Sequence, residues 1–278
     1  NYVEPGQRDP QPTPADKQIL RDSDPYYRVV NLTKSPFNDA STSFFHFSVG
    51  GYSGIKLRRY QDLIDFYLQE EIQHLSSTLR QQKGSPQQAF SQTPLLNALN
   101  LKYVIVNPNG RPLQNSRRLG NAWYVNNIKT VADADEEILS LGDVDLSSTA
   151  VLREDMLDLL AGGPKVPTAP QGSIQLQSYD PEKLVYESQS AEKGFVVFSE
   201  IYFPEGWKLE VDGEEVPLLR TDFALRGAVI PAGDHEVVMS FHKNFQSERN
   251  LGLIAYILLA GLVVAAVVQS RKKEDHDT

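Results

Sequence analysis

The segment that most limits what this chain can become is residues 251–268, LGLIAYILLAGLVVAAVV, which holds no charged residue and no proline. At 1.5 Å per residue a helix of this length covers roughly 27 Å, close to the ~30 Å hydrocarbon core of a bilayer. A core helix of a water-soluble domain would carry a polar stripe, and this segment has none. The expectation is a transmembrane helix over 249–270, with Gly252 and Gly261 suited to packing against other helices. Arg271, Lys272 and Lys273 follow it, so the positive-inside rule puts a cytoplasmic tail at 271–278 and the bulk of the chain outside the cytoplasm. Lys243 and Arg249 flank the other end and narrow that margin. The chain opens at Asn1 with no charged n-region and apolar h-region, so it reads as a piece of a longer protein or as a processed product, and an extracytoplasmic domain of this kind would be delivered by upstream transmembrane helices.

What precedes the segment reads as folded protein. Hydrophobic residues make up 40% and charged residues 23% of the chain, the balance of a globular domain rather than a disordered one. The formal net charge of -9, with no basic stripe, argues against nucleic acid as a partner. There is no cysteine, which removes disulfides, thiolate metal sites and Cys nucleophiles.

Two kinds of periodicity divide the first 245 residues. Residues 1–16, rich in Pro, Gln and Asp, read as an exposed lead-in. YYRVVNL (26–32) is strand-like, and apolar residues at Leu57, Tyr60, Ile64, Tyr67, Leu68, Ile72, Leu75 and Leu79 predict a long amphipathic helix. SPQQAF (85–90) reads as a loop, Pro94 opens a short helix, and 102–106 is a strand. NAWYVNNIKTV is predicted as one strand, ADADEEILSLG as a helix ended by Gly142, and STAVLRED as a further strand. The Gly- and Pro-rich stretch 161–173 is the expected domain boundary. Beyond it seven short runs of two-residue periodicity, with a hairpin at Asp212-Gly213, predict an antiparallel β-sandwich. The fold class expected is therefore α+β. An extracytoplasmic α/β domain would cover 1–162, a β-sandwich 172–245, and the transmembrane helix would follow.

VGGYSGIKLRRYQDL (49–63) is the most suggestive short stretch. Gly50-Gly51 allows positive φ or a close backbone approach. Lys56, Arg58 and Arg59 cluster where a helix begins, which favours an anionic ligand, with Tyr52 and Tyr60 available to stack on a sugar. The alternative is a solvated basic face in which Arg58 pairs with Asp62 at i, i+4. FNDASTSFFH (37–46) offers Asn38, Asp39 and His46. One Asp and one His seven residues apart make a weak metal or acid–base pair, and capping of a turn by Asn38 or Asp39 is the simpler role. Trp123 and Trp207 could stack on sugars but are expected in the core. No GxSxG, P-loop or GxGxxG motif is present.

NLTKSPFNDASTSFFHFSVGGYSGIKLRRYQDLID, LNALNLKYVIV, GNAWYV and VVFSEIYFPEGWKLEVDGEEVPLLRTDFALRGAVIPAGDHEVVMSF together resemble the C-terminal part of the bacterial YfhO family. The likeness covers most of residues 12–268 in the same order. Those proteins are large polytopic membrane proteins regarded as GT-C-type glycosyltransferases acting on lipid-linked sugars. The resemblance implies a catalytic acid upstream of this chain, so no catalytic residue carries over. It also implies a location in the bacterial cytoplasmic membrane, contact with the lipid bilayer and with upstream helices, and a polyprenyl-phosphate-linked sugar as ligand. It leaves room for a divalent metal only in the missing catalytic half. The rival expectation is a non-catalytic, membrane-anchored β-sandwich module that binds glycans or partner proteins.

Overall fold

The computed structural model describes residues 10–52, 54–80, 85–159 and 172–242, with Tyr256 and Leu259. The presumed lead-in already contributes structure. Thr13 accepts from the Asp16 amide while the Asp16 side chain accepts from the Thr13 amide, a capping box that starts α1 (Pro14–Ile19) and buries Ala15, Asp16 and Ile19. β1 (Arg28–Asn31) follows. The long amphipathic helix is present as α2 (Arg58–Leu63), a π-helical turn (Ile64–Leu68) and α3 (Gln69–Arg80) in direct succession. SPQQAF is a helix rather than a loop: Ser85 and Gln88 form a second capping box that starts α4 (Pro86–Phe90). α5 (Pro94–Ala98) comes next, and the buried Glu71 carboxylate accepts its Leu95 and Leu96 amides at 2.9 and 2.8 Å.

β2 (Leu101–Ile105) and β3 (Leu113–Gln114) lead to the region predicted as a single strand. That region is two strands in two sheets, β4 (Ala122–Tyr124) and β5 (Asn127–Val131). α6 (Ala134–Ser140), β6 (Thr149–Arg153) and α7 (Glu154–Leu157) follow, α6 crossing between the parallel β5 and β6. The remaining strands are β7 (Ser173–Asp180), β8 (Lys183–Ser190), β9 (Gly194–Ile201), β10 (Trp207–Val211), β11 (Glu214–Val216), β12 (Leu219–Thr221), β13 (Leu225–Ile230) and β14 (Gly233–Phe241). Asp212 and Gly213, both at positive φ, turn β10 into β11 as the Asp-Gly pair predicts.

Sheet order explains the composition of the strands. One sheet runs β11-β10-β14-β8-β7 and another β12-β13-β9-β4, while β1-β2-β3 and β5-β6 form two smaller ones. The four-stranded sheet is covered on both faces. Val196, Phe198, Ala228 and Ile230 meet Leu184, Tyr186, Leu209 and Val237 of the five-stranded sheet. Phe195, Val197, Leu219 and Leu225 meet a second core with Leu63, Leu68, Leu75, Leu96 and Val104. A strand buried on both sides has no polar face, which is why GFVVFS is a continuous apolar run. β4 pairs with β9 through Trp123 and Val197, so a strand from the first half completes a sheet of the second. The Arg28 guanidinium adds a polar tie, donating to the carbonyls of Leu99 at 2.8 Å and Ser199 at 2.9 Å. Residues to Ser240 form one unit, and Phe241 onward another.

The expected fold class needs correcting. Over the described residues the protein is a mixed, sheet-rich structure with short helices, in which β4 from the first half joins a sheet of the second, rather than an α/β unit followed by a separate sandwich. Among the described residues no helix is long and apolar enough to cross a membrane. The longest helical run, 58–80, buries one face and shows charges and amides on the other, as a surface helix does. Residues 251–268 lie outside the described residues apart from Tyr256 and Leu259, and most of the expected boundary at 161–173 lies outside them too.

Candidate functional site

The basic cluster at the start of α2 is divided by the geometry of the helix. Lys56 lies before its first turn and faces a cleft of about 770 Å³ between the 32–38 loop and the face of the helix that carries Gln61, Asp65, Gln69 and Gln73. Arg58 and Arg59 face a second cleft, about 580 Å³, lined by Asp62, Phe66, Asp135 and Phe223. The π-helical turn supplies residues to both, Ile64 and Asp65 to the first and Phe66 to the second. Such turns widen the helix and re-aim its side chains, and they recur at functional sites.

The larger cleft is polar with one aromatic wall. Lys34, Ser35, Phe37 and Asn38 form one side, and the Lys56 ammonium sits 5.8 Å from the centre of the Phe37 ring. Opposite them stand amides and hydroxyls from Gln61, Gln69, Gln73, Ser76 and Ser77. Asp65 accepts from the Gln61 amide at 2.8 Å and is the one carboxylate in the lining. Two cations, an aromatic face and a row of neutral donors and acceptors suit a polyhydroxylated ligand that carries an anionic group. A single engaged carboxylate does not form an acid–base pair.

The two glycines hold the 32–38 wall in place. The Gly51 amide donates to the Pro36 carbonyl at 2.7 Å, and a Cβ on Gly50 would stand 1.8 Å from that same oxygen. Only a residue without a side chain allows this approach. The remaining sequence candidates separate. The Tyr60 hydroxyl donates to the Val49 carbonyl, and burial pushes it up to about 12. Tyr60 is therefore part of the packing and lines neither cleft. Tyr52 is exposed and outside both clefts. Asn38 lines the larger cleft and bonds Ser35 at 3.2 Å. Asp39 accepts from the Ser41 amide at 2.7 Å, at the entry to the 3₁₀ turn (Ser41–Phe44) whose N-cap is Ala40. His46 partners Asp16 at 2.8 Å, not Asp39. Trp123 is in the core with its indole N–H on the Leu146 carbonyl at 3.0 Å, and Trp207 lies 4.1 Å under the Arg226 guanidinium. Among the described residues no three His, Asp or Glu converge as a metal site.

Arg59 belongs to a buried network. Its guanidinium pairs with Glu137 at 3.1 Å, donates to the Phe223 carbonyl at 3.1 Å and covers the Phe223 ring at 4.5 Å. Phe223 and Asp222 are consecutive non-glycine residues at φ 67° and 48°. That conformation is unfavourable for both and is held here by the surrounding bonds. Asp222 is fully buried, accepting from the Val151 amide at 2.7 Å through Oδ1 while Oδ2 has no hydrogen-bond partner among the described residues. Burial pushes its carboxyl up to about 7. Burial likewise raises Glu137 against the pull of Arg220 and Arg59.

Sequence reading found Lys56 and Asn38 but missed Lys34, Phe37 and the helix face opposite them. The signal was available: Gln61, Asp65, Gln69 and Gln73 recur at i, i+4 beside the apolar stripe. No protein-family model, curated protein or solved structure matches the chain.

Proposed function

We propose that this chain is the ligand-holding, extracytoplasmic part of a membrane glycosyltransferase of the YfhO type, and that its larger cleft takes the phosphorylated sugar of a lipid-linked donor or acceptor. The observation that supports this reading is the cleft itself. Lys34 and Lys56 provide charge for a phosphate, Phe37 a flat apolar face for a pyranose, and the Gln61–Gln73 stripe partners for hydroxyls. The chain contributes binding, and the acidic residue that activates the acceptor lies outside it. The family likeness enters through the motifs alone, and the chemistry of the cleft agrees with it.

Titration calorimetry of the full chain with glucose 1-phosphate, with glucose and with inorganic phosphate as references, tests the proposal. Glucose 1-phosphate should bind more tightly than either reference. A charge-assisted contact to phosphate is worth about 1.5–3 kcal/mol, so Lys34→Ala and Lys56→Ala should each weaken binding by about 10- to 150-fold. Neither should move the thermal unfolding midpoint, because both cations are at the surface and have no ion pair with a carboxylate among the described residues. Equal affinities for sugar phosphate and bare phosphate, or variants that bind like the parent, would remove the reading.

A further inference from the structure

The loop between the 3₁₀ turn and α2 shows an unusual surface. Ile55 is 94% exposed, Tyr52 70%, Phe44 65% and Leu57 41%, all within fourteen residues of chain. Large apolar side chains exposed singly are ordinary, but a run of this kind marks an interaction surface. The chain folds back here so that the 3₁₀ turn lies beside Gly51. A Cβ on Gly51 would lie 3.6 Å from the Ser43 hydroxyl, which brings Phe44 beside the 51–52 segment, and the Gly51 amide bond to Pro36 pins the loop at its base. Phe47 differs, since it packs on Tyr26 and Tyr179 at 4.6 and 5.1 Å.

Charge selects the kind of partner. The protein carries a net charge of -9, yet residues 34–59 hold Lys34, Lys56, Arg58 and Arg59 against one carboxylate, Asp39. Arg59 is taken up by Glu137, while Lys34, Lys56 and Arg58 have no ion pair among the described residues. An acidic molecule with one cationic margin would be oriented by an anionic surface, margin first. Exposed aromatic and aliphatic residues interleaved with lysine and arginine match the boundary between lipid headgroups and acyl chains, where the apolar groups enter and the cations stay at the phosphates.

We propose that this loop seats in the interface of an anionic lipid surface, with Phe44, Tyr52, Ile55 and Leu57 entering it and Lys34, Lys56 and Arg58 on the headgroups. This is contact by lying on the membrane, a different mode from spanning it. It places the mouth of the larger cleft, which shares Lys34 and Lys56 with this margin, at headgroup level. The proposal is independent of whether that cleft takes a sugar phosphate.

Since the chain has no cysteine, single labels are unambiguous. Full-length Ile55→Cys and, as a reference on the exposed face of β8, Glu187→Cys carry an environment-sensitive NBD group and are mixed with vesicles of phosphatidylcholine and phosphatidylglycerol. At position 55 the emission should shift to the blue and be quenched by brominated lipid, as expected for insertion to about 5–10 Å. Position 187 should stay at its value in water, and Lys56→Glu with Arg58→Glu should abolish the shift at 55. The label reports the loop itself, so attachment through another segment does not by itself produce the signal. An emission at 55 equal to that at 187 overturns the proposal. So does a blue shift that grows with protein concentration in the absence of vesicles, which would assign the face to a second copy of the chain.

Discussion

Arg58 and Arg59 are neighbours in sequence and opposites in structure. Arg58 stands exposed at the rim of its cleft, while Arg59 covers Phe223 and meets the buried Glu137. A helix turns by about 100° per residue, so adjacent side chains leave it in different directions, and Arg58 and Arg59 meet different partners although both line the second cleft. The comparison extends to the two clefts. The one with Lys34 and Lys56 is rimmed by neutral amides and by cations that have no ion pair among the described residues. The other is floored by a turn in which charge, burial and positive φ are bound together. The first has charge to offer a ligand, and the second uses it to hold the fold.

The largest expected effect lies at the floor of the second cleft. Asp222 has a carboxyl at about 7 in the folded protein and near 3.8 when unfolded. Between those values the folded state keeps a proton that the unfolded state has lost. The contribution of this group to stability is therefore fully present below about pH 4 and lost as pH rises through about 7. Three pKa units correspond to about 4 kcal/mol. Glu71, also raised to about 7 by burial, acts in the same direction, while Asp16, Asp22 and Asp212, lowered by their partners, act in the opposite one. Asp222→Asn isolates the group, because the amide keeps an oxygen for the Val151 amide and does not titrate. Urea unfolding should show the variant gaining on the parent by up to that amount from acid to neutral pH. A constant difference between the two would mean that the Asp222 carboxyl titrates alike in the folded and unfolded states.

Next in size is the arginine pair itself. Arg59→Ala leaves Glu137 buried without its closest cation, and breaking a buried pair from one side costs about 3–5 kcal/mol. Because Arg59 is 29% exposed, the lower end, about 3 kcal/mol, is expected. Arg58→Ala should stay within about 0.5 kcal/mol of the parent. Denaturant midpoints of the two variants measured side by side would dissolve the comparison if they moved together.

How much of this was legible depends on how local the cause is. The helix at 58–80 and the Asp212-Gly213 hairpin were readable because a period or a dipeptide specifies them within a few residues. The capping boxes at Thr13 and Ser85 were equally local but were passed over, since Pro-, Gln- and Asp-rich surroundings look like loop. β4 was not legible as part of the four-stranded sheet. Ala122, Trp123 and Tyr124 are all buried, so they show no alternation, and their partners Phe198, Val197 and Val196 lie over seventy residues away. The site divided in the same way. Lys56 and Asn38 were visible as residue types, whereas the opposition of Phe37 to the Gln61–Gln73 stripe depends on packing that no window of sequence contains.

The smallest effect concerns the geometry that lets the first cleft differ from the second. Gly50 lies against the Pro36 carbonyl so closely that a methyl group would be 1.8 Å from the oxygen. Forcing a methyl into a packed site costs about 1–3 kcal/mol, and a loop tied down by few bonds should yield at the lower end, about 1 kcal/mol. Yielding means that the 32–38 wall moves away from Gly50, carrying Phe37 from its place beside Lys56. Gly50→Ala should therefore shift the unfolding midpoint modestly while weakening glucose 1-phosphate binding as clearly as a lysine substitution does, with every charge in the cleft still present. If binding survives at parental strength, the cations alone recognise the ligand and the aromatic wall contributes nothing. If binding falls while Tyr60 keeps its bond to Val49, seen as an unchanged ultraviolet titration of that tyrosine near pH 12, the loss belongs to the wall and not to the helix behind it.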